Sequence, residues 1–90
     1  EGKITMLRVH DVGTGYGVPT DNLNAEVVIL LDTELNKAFG FQLRKDANSE
    51  THTGMLELLR QAFKQDLRVR IEYDRTGLRN GQIVRVMIIP

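Results

Sequence analysis

The pattern of hydrophobic and polar positions along the chain predicts five strands and one helix. The helix runs from Gly54 to Gln65, the segment with a clear helical period, and Thr53 or Gly54 is its predicted cap. Its apolar residues recur three and four positions apart, and they form one stripe of Met55, Leu58, Leu59 and Ala62, widened by Leu56 and Phe63. We expect this stripe to close one end of a β-structure.

Three segments before the helix have the pattern of strands. Residues 3–12 and 37–44 alternate apolar and polar side chains, as a strand with one buried face does. Residues 26–32 form a continuous apolar run, which is typical of a strand buried on both faces. Gly40 lies inside the third segment and indicates a bend or a close approach of the backbone.

A glycine-punctuated loop, residues 13–22, separates the first two strands. No helix follows it and no Gly-Lys-Ser/Thr ending closes it, so a phosphate-binding loop is disfavoured. We expect a mobile surface loop that carries one aromatic side chain, Tyr16.

Two segments after the helix, residues 67–73 and 82–89, predict a hairpin. Asn80-Gly81 is a strong turn signal, because both residues tolerate positive φ. A two-residue turn there gives the hairpin one apolar face, made of Val69, Ile71, Tyr73, Val84, Val86 and Ile88. A turn at Thr76-Gly77 is the alternative, and it would change the pairing.

The opposite face of this hairpin bears three large apolar residues, Ile83, Met87 and Ile89. Each stabilises the fold by about 1.5–3 kcal/mol when it is buried, and a small domain has little with which to cover them. We therefore predict an interface between subunits on this face, formed by Arg68, Arg70, Ile83, Arg85, Met87 and Ile89.

Three strands, one helix and two strands follow the order of the five-stranded OB-fold barrel, in which the helix plugs one end between the third and fourth strands. A β-grasp-like α+β fold is the alternative, although it normally has two strands before its helix. With 90 residues, the chain fits a single domain spanning residues 1–90.

Composition narrows the class of protein. The chain has no cysteine, which leaves no disulfide framework and no thiolate metal site. No apolar run approaches the roughly 20 residues that span a bilayer. We expect a cytoplasmic protein, or a secreted one if a leader lies outside this sequence.

The charge is balanced overall but unevenly distributed. Lysine and arginine together number 12, as do aspartate and glutamate, which is weak evidence against a general nucleic-acid binder. Residues 60–90 hold seven basic side chains against three acidic ones. Such a surface suits an anionic ligand, pairing between complementary halves of neighbouring subunits, or simple exposure to solvent.

The residues of a catalytic constellation do not come together in the sequence. A nucleophilic triad needs serine or cysteine near histidine and an acid, but the only serine, Ser49, lies in a polar loop far from His10 in sequence. His52 precedes the predicted helix. We expect no enzymatic activity and no cofactor.

A metal site is also disfavoured. Asp21, Asn24 and Glu26 resemble part of a calcium loop, but Leu23 occupies a position where such a loop needs an oxygen ligand. We interpret the three polar residues as turn residues before a strand, and we expect no metal.

The loops and face where OB folds bind ligands offer a candidate site of Arg8, His10, Tyr16, Arg75 and Arg79. It would suit an anionic ligand, a glycan or a single-stranded nucleic acid, and a nucleic acid would also use Arg68, Arg70 and Arg85. Nucleic-acid binding needs aromatic platforms among basic residues. Tyr73 is predicted to lie in the core, which leaves Tyr16 as the only platform.

The layout is similar to that of the B subunits of bacterial AB-type toxins, such as cholera toxin. The similarity covers residues 26–90 and lies in the order and spacing of Glu26-Val-Val-Ile-Leu-Leu, Lys37-Ala-Phe-Gly-Phe-Gln, the helix and Leu67-Arg-Val-Arg-Ile-Glu-Tyr. The chain lacks the cysteine pair and the tryptophan of that family. The resemblance implies an OB barrel, a homo-oligomer in the form of a pentameric ring, and sugar binding without any assigned sugar-binding residue.

Overall fold

A computed structural model describes residues 1–90 and contains seven strands and one helix. The elements are β1 (Gly2–Val9), β2 (Tyr16–Val18), β3 (Asp21–Leu23), β4 (Val27–Leu31), β5 (Glu34–Phe41), α1 (Ser49–Lys64), β6 (Arg68–Arg75) and β7 (Asn80–Ile89). Five strands close into a barrel in the order β1-β4-β5-β7-β6, while β2 and β3 form a separate two-stranded sheet. The predicted OB barrel is confirmed, and its closure excludes the β-grasp alternative.

Two short seams close the barrel. β5 and β7 run parallel and pair only where Ala38, Phe39 and Gly40 meet Asn80, Gly81 and Gln82. β1 pairs with β6 only through Gly2 and Lys3. The remaining neighbours in the barrel are antiparallel and share longer ladders.

The helix contributes three buried residues, Met55, Leu59 and Ala62, to the apolar core inside the barrel. The prediction that Leu58 and Phe63 belong to the stripe that packs on the barrel is wrong, because both side chains are exposed. The helix also begins at Ser49, with Asn48 at the N-cap position, rather than near Gly54. Its first turn is polar and therefore carries no apolar period, but Glu50 there favours the positive helix start. No helix of the chain is both long and apolar enough to cross a membrane.

The predicted two-residue turn at Asn80-Gly81 is wrong. Both residues lie in β7, and the chain turns at residues 76–79. Asn80 pairs with Ala38 of β5, and its side-chain amide donates hydrogen bonds to Asp21. These tertiary contacts override the local preference of the dipeptide for a turn.

The observed register also changes which side chains of β7 face the core. Glu72 pairs with Arg85 but Tyr73 pairs with Ile83, so Val84 is an extra residue in a bulge. The bulge turns Ile83 into the barrel, where it is 1% exposed, and leaves Val84 exposed. Ile83 therefore cannot belong to an interface between subunits.

The glycine-punctuated loop contains the hairpin β2–β3, which the sequence pattern does not predict. This hairpin packs on the outer surface of the barrel, where Leu23 and Ala25 join Val28 and Ala38 in a second apolar cluster. We call it the outer cluster. Because it covers the outward-facing Val28, β4 is buried on both faces, as its continuous apolar run predicts.

Candidate ligand-binding cleft

A cleft of about 290 Å³ opens between the β2–β3 hairpin and the barrel. Its floor and walls come from the hairpin, from β4 and β5, and from the start of β7: Tyr16, Gly17, Val18, Asp21, Leu30, Leu35, Asn36, Lys37, Ala38, Arg79 and Asn80. OB folds bind ligands on the face of their second and third barrel strands, beside the loops after the first and fourth. Here these features are β4, β5, the segment with the hairpin, and residues 76–79, so the cleft lies at that face.

The wall formed by β5 takes its shape from a large bulge. Leu31 pairs with Glu34 and Ile29 with Phe39, so residues 35–38 lie opposite a single residue of β4, Leu30. Bulges at barrel rims re-aim side chains. Lys37 accordingly lines the cleft, and Leu35 is 74% exposed at its edge.

Tyr16 forms the aromatic part of the cleft. It is partly buried against the outer cluster, and the guanidinium carbon of Arg8 lies 5.7 Å from the centroid of its ring, a cation–π contact. The next residue, Gly17, has φ +105°, and a Cβ there would overlap the carbonyl oxygen of Asp21. The tight hairpin turn that presents Tyr16 therefore needs this glycine.

A second, much smaller depression of about 10 Å³, which we call the groove, adjoins the cleft, and Lys37 and Asn80 line both. It is lined further by Phe39, Tyr73, Arg75, Gly77 and Leu78. The prediction that Tyr73 lies in the core is wrong, because its side chain is 39% exposed. Its ring lies over Gly81 and against Phe39, with 4.7 Å between the two ring centroids.

The site predicted from the sequence is brought together in part. Tyr16 and Arg79 line the cleft, Arg8 contacts Tyr16, and Arg75 lines the groove, where its Nε donates to the carbonyl oxygen of Gly77. His10 lines neither depression. Lys37 and Tyr73 are the site residues that sequence reasoning missed. Their positions depend on the bulges in β5 and β7, for which the residue pattern carries no signal.

The cleft and groove are electropositive. Lys37, Arg75 and Arg79 line them, and the one acidic residue in their linings is Asp21. Both carboxylate oxygens of Asp21 accept hydrogen bonds from the chain itself. Lys37 has a carboxylate oxygen of Glu34 at 3.7 Å, but both side chains are exposed, and such a pair contributes little.

Glu26, at the base of the hairpin, has a buried carboxylate that is 2% exposed. It accepts hydrogen bonds from the Leu43 backbone N–H at 2.9 Å and from Arg44 Nε and Nη2 at 3.1 and 3.0 Å. Burial by itself raises the pKa of Glu26, but these hydrogen bonds and the arginine charge outweigh it, and the pKa is lowered. The same hydrogen bonds raise the pKa of Arg44. With its oxygens occupied, this carboxylate serves the structure.

The three polar residues considered for calcium are used within the chain. Asn24 Oδ1 accepts a hydrogen bond from Arg44, and Asp21 and Glu26 are engaged as described. No group of three or more histidine or acidic side chains is arranged as a metal site. His10 donates its backbone N–H to the Glu26 carbonyl oxygen at 2.8 Å, and both of its ring nitrogens are buried without a partner.

The outer face of the β6–β7 pair differs from its predicted form. Arg70 and Arg68 pair with Glu1 at 2.6 and 3.3 Å, which lowers the pKa of the Glu1 carboxyl. Met87 lies opposite Arg70 and Ile89 opposite Arg68, so the aliphatic stems of the arginines can cover them. Both apolar side chains are half-buried. The face is less apolar than expected, because Ile83 points into the barrel instead.

The order of the strands and the position of the cleft define an OB-barrel protein whose usual ligand face is partly covered by a hairpin. No family model, curated protein or solved structure matches the chain. The resemblance to toxin B subunits stays a prediction from the order of the elements.

Proposed function

We propose that this protein is a non-enzymatic binding module that holds a single-stranded oligonucleotide across the cleft and the groove. The observation that supports it is the placement of one tyrosine in each of two adjoining depressions, Tyr16 in the cleft and Tyr73 in the groove, with Lys37 lining both. Binders of single strands combine aromatic platforms with a basic groove, and the OB fold binds oligonucleotides on this face.

Each part of the site has a role in this proposal. Tyr16 and Tyr73 stack on bases, while Lys37, Arg75 and Arg79 meet the phosphates. The cleft, at about 290 Å³, lies near the lower limit of small-molecule pockets, which is about 300 Å³. It accommodates one nucleotide unit of a flexible strand rather than a folded duplex.

Fluorescence anisotropy with short labelled single-stranded DNA and RNA tests the proposal. We expect binding at low salt, and a loss of about five- to 150-fold in affinity on Tyr73→Leu, because stacking contributes about 1–3 kcal/mol per base. Lys37→Gln should also flatten the dependence of log Kd on log salt, by about 0.7 per lost phosphate contact.

Arg60→Gln is the matched control, because Arg60 pairs with Glu57 on the exposed side of α1 and lines neither the cleft nor the groove. It should leave affinity and salt dependence unchanged. No retention of either oligonucleotide at low salt would refute the proposal. Binding of a neutral oligosaccharide without salt dependence would instead favour the toxin-like alternative.

The outer β6–β7 face supports a second proposal, self-association into a homo-oligomer. Met87 and Ile89 are only half-buried there, beside Arg68, Arg70 and Arg85. A stable interface buries about 800 Å² per partner, so a contact centred on Met87 and Ile89 must extend over the neighbouring arginines. The toxin resemblance makes a ring of five the expected form.

A further inference from the structure

Asp21 joins the β2–β3 hairpin to Arg79 and to Asn80 at the start of β7, 58 and 59 residues further along the chain. Its Oδ2 accepts a hydrogen bond from the Arg79 backbone N–H at 2.9 Å. The side-chain amide of Asn80 donates to Asp21 Oδ1 at 2.8 Å and to the Asp21 carbonyl oxygen at 2.7 Å. We call these three hydrogen bonds the clasp.

The clasp is the polar attachment of an otherwise exposed hairpin tip. The base of the hairpin is fixed by apolar contacts, since Leu23 is buried in the outer cluster. Residues 17–20 at the tip are exposed. The hairpin is thus held at two places, by apolar contacts at its base and by the clasp at Asp21.

Gly77 completes the clasp. A Cβ at this position would overlap the Oδ1 atom of Asp21. A side chain at residue 77 would therefore push the carboxylate away from its position against Arg79 and Asn80.

We infer that Asp21 is a positioning residue that fixes the width of the cleft and the placement of Arg79, an inference that rests on the proposed function for its effect on binding. Asp21 belongs to the hairpin and Arg79 to the turn before β7, and both line the cleft, so the clasp ties these two parts of its lining together. It also occupies both oxygens of the one carboxylate among the cations. Asp21 thus shapes an anion-binding site although its own charge opposes anions.

The effect of the Asp21 charge and its effect on positioning change the affinity for an oligonucleotide in opposite directions, so the direction of the change tells them apart. Asp21→Asn removes a negative charge, which by itself strengthens binding of an oligonucleotide, but its amide can accept only one of the two side-chain hydrogen bonds and sets a donor against the other, which weakens the clasp. Gly77→Ala displaces the carboxylate without changing the charge. If Asp21 acts by positioning, both variants bind the labelled oligonucleotide about five- to tenfold more weakly, a typical size for coupling between neighbouring sites.

Asp74→Asn is the matched control, because Asp74 is an exposed acid of β6 and its removal changes the charge alone. It should bind as tightly as the wild type or more tightly. Tighter binding by Asp21→Asn, equal to that of Asp74→Asn, would overturn the inference.

Amide hydrogen exchange separates this inference from the proposed function, because it needs no ligand. Exchange of the Arg79 N–H and of the β2–β3 pair should become faster in Asp21→Asn and Gly77→Ala but not in Asp74→Asn. Unchanged exchange in the first two variants would refute the clasp even if the oligonucleotide binds. Faster exchange with a wild type that binds no oligonucleotide would support the clasp and refute the proposed function.

Discussion

Glu26 is the only buried charged residue of the protein, and it connects three segments. It lies just before β4, its carboxylate binds Leu43 and Arg44 after β5, and its carbonyl oxygen accepts the His10 N–H after β1. A buried carboxylate is tolerated only with such hydrogen bonds, since its desolvation is otherwise unfavourable. Glu26 therefore holds the base of the hairpin against the barrel.

Replacing Glu26 by Gln should lower the free energy of unfolding by about 2 kcal/mol at pH 7, the size of lost hydrogen bonds to a charged group. The folded-state pKa of Glu26 lies below its ordinary value of 4.5. Its contribution is therefore present above the unfolded pKa and is lost as the pH falls through the folded pKa. Urea unfolding at several pH values should show the difference between wild type and variant shrinking below about pH 4.5.

The control for this experiment is Glu72→Gln, because Glu72 pairs with Arg85 at the surface. We expect it to change the stability by less than about 0.5 kcal/mol. A difference for Glu26→Gln that stays constant from neutral to acidic pH would contradict the assigned role of the carboxylate.

The orientation of single side chains next to a bulge could not be predicted from the sequence. Apolar and polar residues alternate along β7, but Val84 is an extra residue in the ladder. It shifts the alternation between its two sides, so that Ile83 faces the core. Tyr73 lies across from this bulge and stays half-exposed. A pattern of apolar residues contains no information on where a ladder slips by one residue, because that is decided by packing against other strands.

At the scale of elements, glycines in β5 and in α1 should respond oppositely to the same substitution. A Cβ at Gly40 would overlap the Val27 carbonyl oxygen of the paired strand, which confirms the predicted close approach of the backbone, whereas a Cβ at Gly54 would meet nothing. We expect Gly40→Ala to destabilise the protein by about 3 kcal/mol, through overpacking against backbone. Gly54→Ala should stabilise it by about 0.5–1 kcal/mol, by reducing the freedom of the unfolded chain.

Thermal unfolding of the two variants, followed by circular dichroism, measures both effects. If Gly40→Ala left the unfolding temperature unchanged, the β4–β5 ladder could not be as close at this point as the structure has it. A lower unfolding temperature for Gly54→Ala would mean that the helix does not continue through residue 54.

The elements differ in how far the sequence predicts them. The barrel strands and the helix are long enough to show a period, and their order is sufficient for the OB fold. β2 and β3 have three residues each, too few for a pattern, and their attachment depends on Asp21 and Leu23 meeting distant parts of the barrel. The turn at Asn80-Gly81 fails for a related reason, because contacts with β5 and Asp21 decide the conformation there.

At the scale of the whole molecule, Met87→Lys tests the proposed self-association through the outer β6–β7 face. A lysine at this half-buried position places a charge in the proposed interface, so the variant should have the monomer mass of 10.2 kDa by light scattering while its circular dichroism is unchanged. Leu58→Lys, on the exposed side of α1, is the control and should keep the wild-type mass. A wild type that is itself monomeric, or a variant whose mass stays that of the wild type, would contradict assembly through this face.

The sequence predicts some residues of the candidate site and misses others. Arg8, Tyr16, Arg75 and Arg79 can be proposed from the sequence because OB folds bind ligands at known loops. Lys37 and Tyr73 cannot, since their exposure follows from two bulges. Net charge is also a poor guide, because a balanced total conceals the local excess of cations around the cleft.

The two short seams of the barrel have a consequence for the time course of folding. One seam joins residues 2 and 3 to residues 68 and 69, and the other joins residues 38–40 to residues 80–82. Each seam requires the closure of a long loop in return for only two or three residue pairs, and topologies of this kind fold in milliseconds to seconds rather than microseconds. During synthesis the barrel cannot close until β7 has left the ribosome, so the nascent β4 and β5 present their apolar side chains to chaperones until the last strand arrives.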